Sequence, residues 1–343
     1  HFGLIAVSLA VIAAILSNSF IKIKESERVA LDALETLQEK NEYIEATARQ
    51  VAPDYLNLAV RAEQRYEFQA AEQALDTGLA FDPSLEEGWL RKGRMLLSQR
   101  RFAEALAILS GKHGHPVKKD PPAIRLARKY ADTGTLEDAE LPRLVKDFID
   151  YGMAGGLPRL FYHLNREPFN PETRLTAIEA SLVLLNPNAD TINFNAQSMG
   201  PNGWLIDIGD NPELDNIAPL CGLKILILNA SRTGMPNLNL LTEDGLMELR
   251  VSGSRLNAIP ELEQLADLQV LDLSKTRVRS IPHILSYRML RSLDISGIED
   301  LTIPTQLIWS QHLQMLTVSE QYFNDPTVRA LQRRGVIIIY ADE

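Results

Sequence analysis

One short apolar phrase recurs three times between residues 246 and 304, and it constrains the fold more than any other feature. Each copy reads Leu-x-x-Leu-x-apolar and is followed at a constant offset by an Ile-Pro pair. The copies begin at Leu246, Leu268 and Leu290. Their period of 22 residues is typical of solenoids that place one strand in each turn. Alternate apolar positions of a strand point to one side, so we expect stacked parallel strands with one buried face.

The same phrase extends in both directions. Further copies lie at 223–228 and 313–318, and irregular strands are expected at 192–194 and 206–208. The central residues of the strands are spaced 20, 23, 22, 22 and 23 residues apart. We take them to be Ile206, Leu226, Leu249, Leu271, Leu293 and Leu316. Near the end, Asp325-Pro326 predicts the start of a helix, and the apolar run 336–340 predicts a strand. Together they would cap the open end of the solenoid.

With its Ile-Pro endings, this phrase resembles the shorter kind of leucine-rich repeat. The resemblance implies an α/β solenoid over residues 188–343 with a parallel sheet that binds a protein or peptide. The family's usual Asn after each strand is replaced here, at Ser231, Ser254, Thr276 and Ile298. The first three side chains can still hydrogen-bond to the turn backbone, whereas Ile298 cannot, so its turn must be satisfied in another way.

A second period, of 34 residues, precedes the first. It relates four pairs of positions: Tyr55 and Trp89, Ala59 and Gly93, Phe68 and Phe102, Ala71 and Ala105. Paired helices need small residues where they cross and large ones beside the crossing, so residues 53–118 resemble tetratricopeptide repeats. Gly78 keeps the small residue late in the second helix, but Lys112 departs from it. Residues 119–187 are predicted to continue this α-helical solenoid as degenerate repeats.

The first 21 residues carry no charge after His1. An apolar helix of about 20 residues spans a ~30 Å hydrocarbon core. We therefore predict a transmembrane helix over 1–21, with residues 2–21 as the membrane contact, and a single-pass protein whose remainder is extracytoplasmic. A cleaved signal peptide and a buried core helix are the alternatives. Residues 22–52 predict an amphipathic juxtamembrane helix, either packed as a stalk or in a short coiled coil.

Composition and motifs exclude several classes of function. The net charge of −10 and pI near 5.2 argue against nucleic acid as a partner. No zinc-protease, nucleophile-elbow or phosphate-loop motif is present, so we predict no catalysis and no cofactor. The single cysteine, Cys221, lies in an apolar run and is expected to be buried. The groups His113, His115 and Asp120, and Asp207, Asp210 and Asp215, lack the spacing of metal sites.

The predicted binding face is the outward side of the strands. Residues between two inward positions point outward: Asp207, Ile227, Arg250, Asp272, Asp294 and Thr317. Beside them lie Asn229, Lys275 and Arg291. We predict a groove for a protein segment, although any solvated sheet needs polar residues there. Charge reversal at Asp272 and Asp294 is expected to weaken binding with little effect on thermal unfolding.

The order of parts resembles the region that follows the kinase domain in bacterial membrane-anchored serine/threonine kinases. The resemblance implies a non-catalytic sensor within a longer receptor-like kinase. The alternative is a stand-alone envelope scaffold or assembly factor that binds proteins through both repeat surfaces. A third hypothesis is an inhibitor or effector acting through the leucine-rich repeats alone.

Overall fold

A computed structural model describes residues 2–112, 114–134, 136–241, 245–259, 265–281 and 284–341, without the side chains of residues 2–18 and 21. Helices occupy the first half of the chain, and a sheet occupies the second. The helices are α1 (Phe2–Gln64), α2 (Phe68–Phe81), α3 (Glu86–Ser98), α4 (Phe102–Leu109), α5 (Pro121–Tyr130), α6 (Leu141–Asp150), α7 (Leu157–Arg166), α8 (Pro171–Leu185) and α9 (Pro326–Arg333).

The predicted membrane span is contradicted. In the part of the chain that the structure describes, no helix has an apolar stretch long enough to cross a bilayer. Helix α1 is long, but it carries five charged residues between 22 and 28 and continues as one charged helix to Gln64. The predicted span itself falls mainly on 2–18 and Ile21, whose side chains lie outside the described residues. The single-pass localisation derived from that span is corrected with it.

Small residues allow the first helices to pack closely. Ala59, Ala71 and Ala105 are at most 2% exposed and lie where neighbouring helices meet. A methyl group added at Gly93 would lie 2.5 Å from Cδ2 of Leu109, so the Leu109 side chain of α4 occupies the space that a larger residue on α3 would need. These contacts explain why the small residues recur at their observed spacing.

The second half forms an eight-stranded sheet in which every strand lies beside its neighbours in the chain. The strands are β1 (Asn195–Ser198), β2 (Trp204–Asp207), β3 (Ile225–Asn229), β4 (Glu248–Arg250), β5 (Val270–Asp272), β6 (Ser292–Asp294), β7 (Met315–Ser319) and β8 (Ile337–Ala341). All pairs from β2 to β8 are parallel, as predicted. The first strand is the exception, because β1 is antiparallel to β2 and begins directly after the predicted strand at 192–194, which is not formed.

The strand register corrects one predicted marker. The residues that pair across the buried side of the sheet are Ile206, Leu228, Leu249, Leu271, Leu293 and Leu316. Leu228, and not Leu226, belongs to this row. The register between β2 and β3 shifts after Trp204, which pairs with Ile225, so that Leu205 pairs with Ile227 and Leu226 is left over. Such an extra residue is a β-bulge.

Recurrent turns follow the strands. Their backbone adopts positive φ of 55–64° at Asp210, Arg232, Gly253, Lys275 and Gly297. Glycine, Asp and Asn tolerate this left-handed conformation best, whereas Arg232 and Lys275 are held in it by the flanking parallel ladder. At the far end, Asp325 caps α9 by accepting hydrogen bonds from the N–H groups of Thr327 and Val328. The predicted terminal helix and strand are therefore both present.

Two buried asparagines join the helices to the sheet. Asn165 Nδ2 in α7 donates to the carbonyls of Pro219, at 3.0 Å, and of Cys221, at 2.8 Å. Asn186, directly after α8, accepts at Oδ1 from the N–H groups of Asp215 and Asn216. One apolar core then runs from α2 to the residue before β8, so the helices and the sheet share buried contacts.

Candidate functional site

The predicted outward residues form one continuous row across six strands. The pairing places Asp207, Asn229, Arg250, Asp272, Asp294 and Thr317 side by side. This row lies beside the buried row of leucines, with its side chains on the opposite face of the sheet. Because neighbouring strands lie about 4.8 Å apart, six residues extend over roughly 24 Å. We call this set the polar row.

Three predicted site residues lie outside the polar row. Ile227 lies two residues before Asn229 and belongs to the neighbouring row, since the bulge at Leu226 displaces it. Lys275 occupies the turn after β5 with φ 55°. Arg291 precedes β6, at the other end of the strands, and is exposed. The structure thus separates Lys275 and Arg291 from the row and from each other.

An apolar row runs next to the polar row and was missed in the sequence. Its paired positions are Leu205, Ile227, Glu248, Val270, Ser292, Met315 and Ile337. Five of the seven are apolar, and the side chains are half-buried or, at Ile337, 59% exposed. The sequence does contain a signal for the apolar row, since an apolar residue precedes the central residue of the strand in most copies. It is masked because the same residue type also fills the buried face.

Asp272 and Asp294 each hold the turn that follows their strand. Oδ1 of Asp272 accepts hydrogen bonds from Ser274 N–H, at 2.9 Å, and from Ser274 Oγ, at 2.7 Å. Oδ1 of Asp294 accepts the same pair from Ser296, at 2.9 and 2.7 Å. Such Asx turns are local structural devices. Their carboxyl groups therefore have a structural task whether or not a partner binds.

An asparagine performs the same task at the end of β3, two strands before Asp272. Oδ1 of Asn229 accepts from Ser231 N–H at 3.2 Å, while its Nδ2 donates to Asp207 Oδ1 at 2.9 Å. Asp207 in turn accepts from Gly209 N–H at 2.9 Å. The turn needs only an acceptor oxygen at this position and does not need a negative charge.

The turn that contains Ile298 is satisfied by the next strand. Gly297 N–H donates to Oγ of Ser319 at 2.8 Å, whereas the equivalent N–H groups of Gly253 and Lys275 donate to the carbonyls of Ser274 and Ser296. Serines recur at this level of the sheet, and Ser252 and Ser274 hydrogen-bond to each other through their hydroxyl groups at 2.7 Å.

The outward face is acidic at its centre. Arg250 forms an ion pair with Glu248 of its own strand, so its charge is compensated locally. Burial raises the pKa of Asp294 above its ordinary value; the hydrogen bonds from Ser296 oppose this shift, and the charge of neighbouring Asp272 adds to it. Asp272 and Asp294 are thus two adjacent carboxylates with no cation assigned to either among the described ion pairs.

The other candidate groups lie away from this face. His115 stacks on Trp89 with ring centroids 4.7 Å apart, and Asp120 caps α5 and pairs with Arg94 at 2.7 Å. His113 lies outside the described residues. Cys221 is buried, as predicted. Asp210 pairs with Arg232, and among the described side chains no group of three metal-ligating residues lies close enough to hold an ion.

Comparison of the sequence with known proteins identifies no relative. No protein-family model and no curated protein matches the chain.

Proposed function

We propose that this protein is a non-catalytic binding module that holds an extended segment of another protein across the outer face of its sheet. The observation that supports this most is the parallel course of the two outward rows. A chain lying across the strands would meet apolar side chains along one edge and polar ones along the other. Solenoids supply extended binding surfaces of this kind.

The charge of the face selects the partner's chemistry. Asp272 and Asp294 are adjacent in register, and each uses Oδ1 for its turn, which leaves the second carboxylate oxygen to accept from a partner. A Lys or Arg side chain above the pair would interact with both charges. The partner segment is therefore basic at this point and carries apolar residues that reach Val270 and Met315 in the apolar row. Because salt screens exposed charges, the binding of this basic segment should weaken as the salt concentration is raised.

Substitution by asparagine tests this without disturbing the turns. D272N/D294N keeps the acceptor oxygens, as Asn229 does naturally, but removes both charges. For a basic peptide selected from a random library on the wild-type chain, we expect at least about tenfold weaker binding, equal to roughly 1.4 kcal/mol. Fluorescence anisotropy of the labelled peptide measures this.

The matched control carries the same change of charge elsewhere. Asp54 and Asp132 are exposed on the helical half, and D54N/D132N should leave the affinity unchanged. Equal weakening by both double variants would refute a site on the sheet. Selection of peptides without Lys or Arg would refute the proposed chemistry.

Charge reversal is a poorer test than the sequence implies. A lysine at position 272 has no acceptor for the N–H and hydroxyl of Ser274, so D272K loses the turn as well as the charge. It should destabilise the fold by about 1–3 kcal/mol, the cost of leaving such groups unsatisfied. The expectation that reversal leaves thermal unfolding unchanged does not fit these contacts.

We extend the proposal to a longer protein: the module is the binding part of a serine/threonine kinase encoded upstream. The order of the helical segment and the leucine-rich segment along the chain supports this proposal. Sequencing the gene upstream tests it directly. A glycine-rich loop, a strand lysine and a His-Arg-Asp motif would support the kinase, and their absence would leave the stand-alone scaffold as the function.

A further inference from the structure

The projecting part of α1 exposes apolar side chains on a continuous helix. Every described side chain from Ser19 to Thr47 is exposed, and the first fully buried one is Ala52. Phe20, Ile23 and Leu34 are 61%, 63% and 56% exposed, respectively. In this stretch the described side chains therefore do not pack against the rest of the chain, and the predicted packed stalk is not formed.

Six of the nine large apolar side chains described as exposed between residues 20 and 51 follow a heptad pattern. Positions separated alternately by three and four residues are Phe20, Ile23, Glu27, Ala30, Leu34, Leu37, Asn41, Ile44, Ala48 and Val51. Eight of these ten are apolar. A 3.5-residue repeat lies along one side of a helix and drives left-handed supercoiling with a partner helix. We call this set the seam.

We propose that the seam binds a second copy of this chain in a parallel two-stranded coiled coil. The polar seam position Asn41 argues for this occupant. Asn41 takes the first core position of its heptad, where a buried asparagine fixes the register and favours two parallel helices by pairing with its own counterpart. A partner with an unrelated sequence would have to supply that match by chance, whereas a second copy supplies it by symmetry.

Charge complementarity supports the same arrangement. Lys40 and Glu45 flank the seam five residues apart, at the positions that face each other between parallel helices in register. Two copies would therefore form Lys40–Glu45 pairs on both sides of Asn41. Glu27 is the one ionisable seam residue, and it lies near the projecting end, where it stays accessible to water.

The buried area is sufficient for a dimer. Six large apolar seam residues are between 39% and 63% exposed: Phe20, Ile23, Leu34, Leu37, Ile44 and Val51. At about 100 Å² for each, a value consistent with burying a leucine-sized side chain, two helices remove roughly 1,200 Å² from water. This equals the lower bound of about 1,200 Å² for specific protein interfaces.

The dimer would place two sheet faces on one stalk. Two binding faces raise the apparent affinity for a partner that itself carries two basic segments. This consequence rests on the proposed function, but dimerisation itself does not, because it is measured without any peptide.

Sedimentation velocity of the full chain at several concentrations tests the proposal. We expect a dimer for the wild type and a monomer for L34K/L37K, with the unfolding temperature of the helical stack unchanged. The matched control is V29K/Y43K, which replaces two side chains of similar exposure, 61% and 73%, that lie off the seam. It should remain a dimer. A monomeric wild type at all concentrations, or equal loss from both variants, would overturn the proposal.

A cysteine crosslink tests the orientation. In I44C, which lies away from the middle of the seam, the two sulfur atoms lie opposite each other only if the helices are parallel and in register, while Cys221 is buried. Mild oxidation should convert I44C into a covalent dimer and leave V29C uncrosslinked. A dimer in which I44C fails to crosslink would refute the parallel arrangement.

Discussion

Asn186 should be one of the most costly single polar side chains to remove, because it ties the last helix of the stack to the loop before the sheet. It is 2% exposed. Its Nδ2 donates to the carbonyls of Leu182, at 2.7 Å, and Asn216, at 3.0 Å. Its Oδ1 accepts from Asp215 N–H, at 3.0 Å, and Asn216 N–H, at 2.9 Å. All four hydrogen-bonding positions of the amide are thus used.

The expected magnitude follows from these four bonds. Each contributes about 0.5–1.5 kcal/mol, and buried partners left unsatisfied cost more. N186A should therefore lower the free energy of unfolding by about 2–5 kcal/mol. N186D keeps the acceptor but places an oxygen against two carbonyls, so it should be at least as destabilising. The exposed N188A, two residues on, should change stability by no more than about 0.5 kcal/mol.

Urea unfolding followed by tryptophan fluorescence measures this effect. Trp89 reports on the helices, and Trp204 in β2, which is 9% exposed, reports on the sheet. Each signal is recorded in a variant that retains only that tryptophan. If the asparagine joins the two halves, N186A shifts the midpoint of both signals. A loss below about 0.5 kcal/mol in N186A would refute the role assigned to these four hydrogen bonds.

Three further predictions concern the sheet and its joint. The pKa of Asp294 is raised in the folded chain, so the contribution of this one carboxyl group to wild-type stability should fall as pH rises above the ordinary value of 3.8. D294N should therefore gain stability relative to the wild type between acidic and neutral pH, in paired denaturant titrations. L271A, at a site 1% exposed, should cost about 2–5 kcal/mol by calorimetry. G222A should cost at least about 1–3 kcal/mol, because its φ is 81° and the added carbon would lie 2.6 Å from Tyr162 O.

The strands were predictable where apolar and polar residues alternate. From β4 to β6 each copy has one central leucine flanked by polar or smaller residues, so the buried face follows from period two. In β3 the run from Ile225 to Leu228 is apolar throughout, and nothing in the residues themselves distinguishes the bulge at Leu226. The direction of β1 was equally hidden, because residue patterns show which face is buried and not which way a strand runs.

The role of the polar row was only partly predictable. The register of Arg250 and Asp272 follows from the period, and the structure confirms it. The turn-holding function of Asp272 and Asp294 depends on a serine two residues later, a local pairing that a search for outward charges ignores. The apolar row depends on which side of each strand faces the core, and therefore on the register of the whole sheet.

The N-terminal prediction failed for a different reason. Hydropathy over 2–21 was taken as a unit, but α1 runs on without a break, past Pro53 to Gln64. Pro53 does not end the helix, although we predicted a domain boundary between residues 52 and 53. The heptad pattern was visible in the sequence. It supports a coiled coil only together with the exposure of the seam, which the structure shows.

Photo-crosslinking of the selected basic peptide tests the central proposal most directly. A benzophenone amino acid is placed at Val270 in the apolar row, or at exposed Glu179 on α8 as the control. We predict that the peptide crosslinks to the chain from position 270 and not from position 179, and that excess unlabelled peptide abolishes the product. Crosslinking from position 179 alone, or from both positions equally, would contradict binding at the outer face of the sheet.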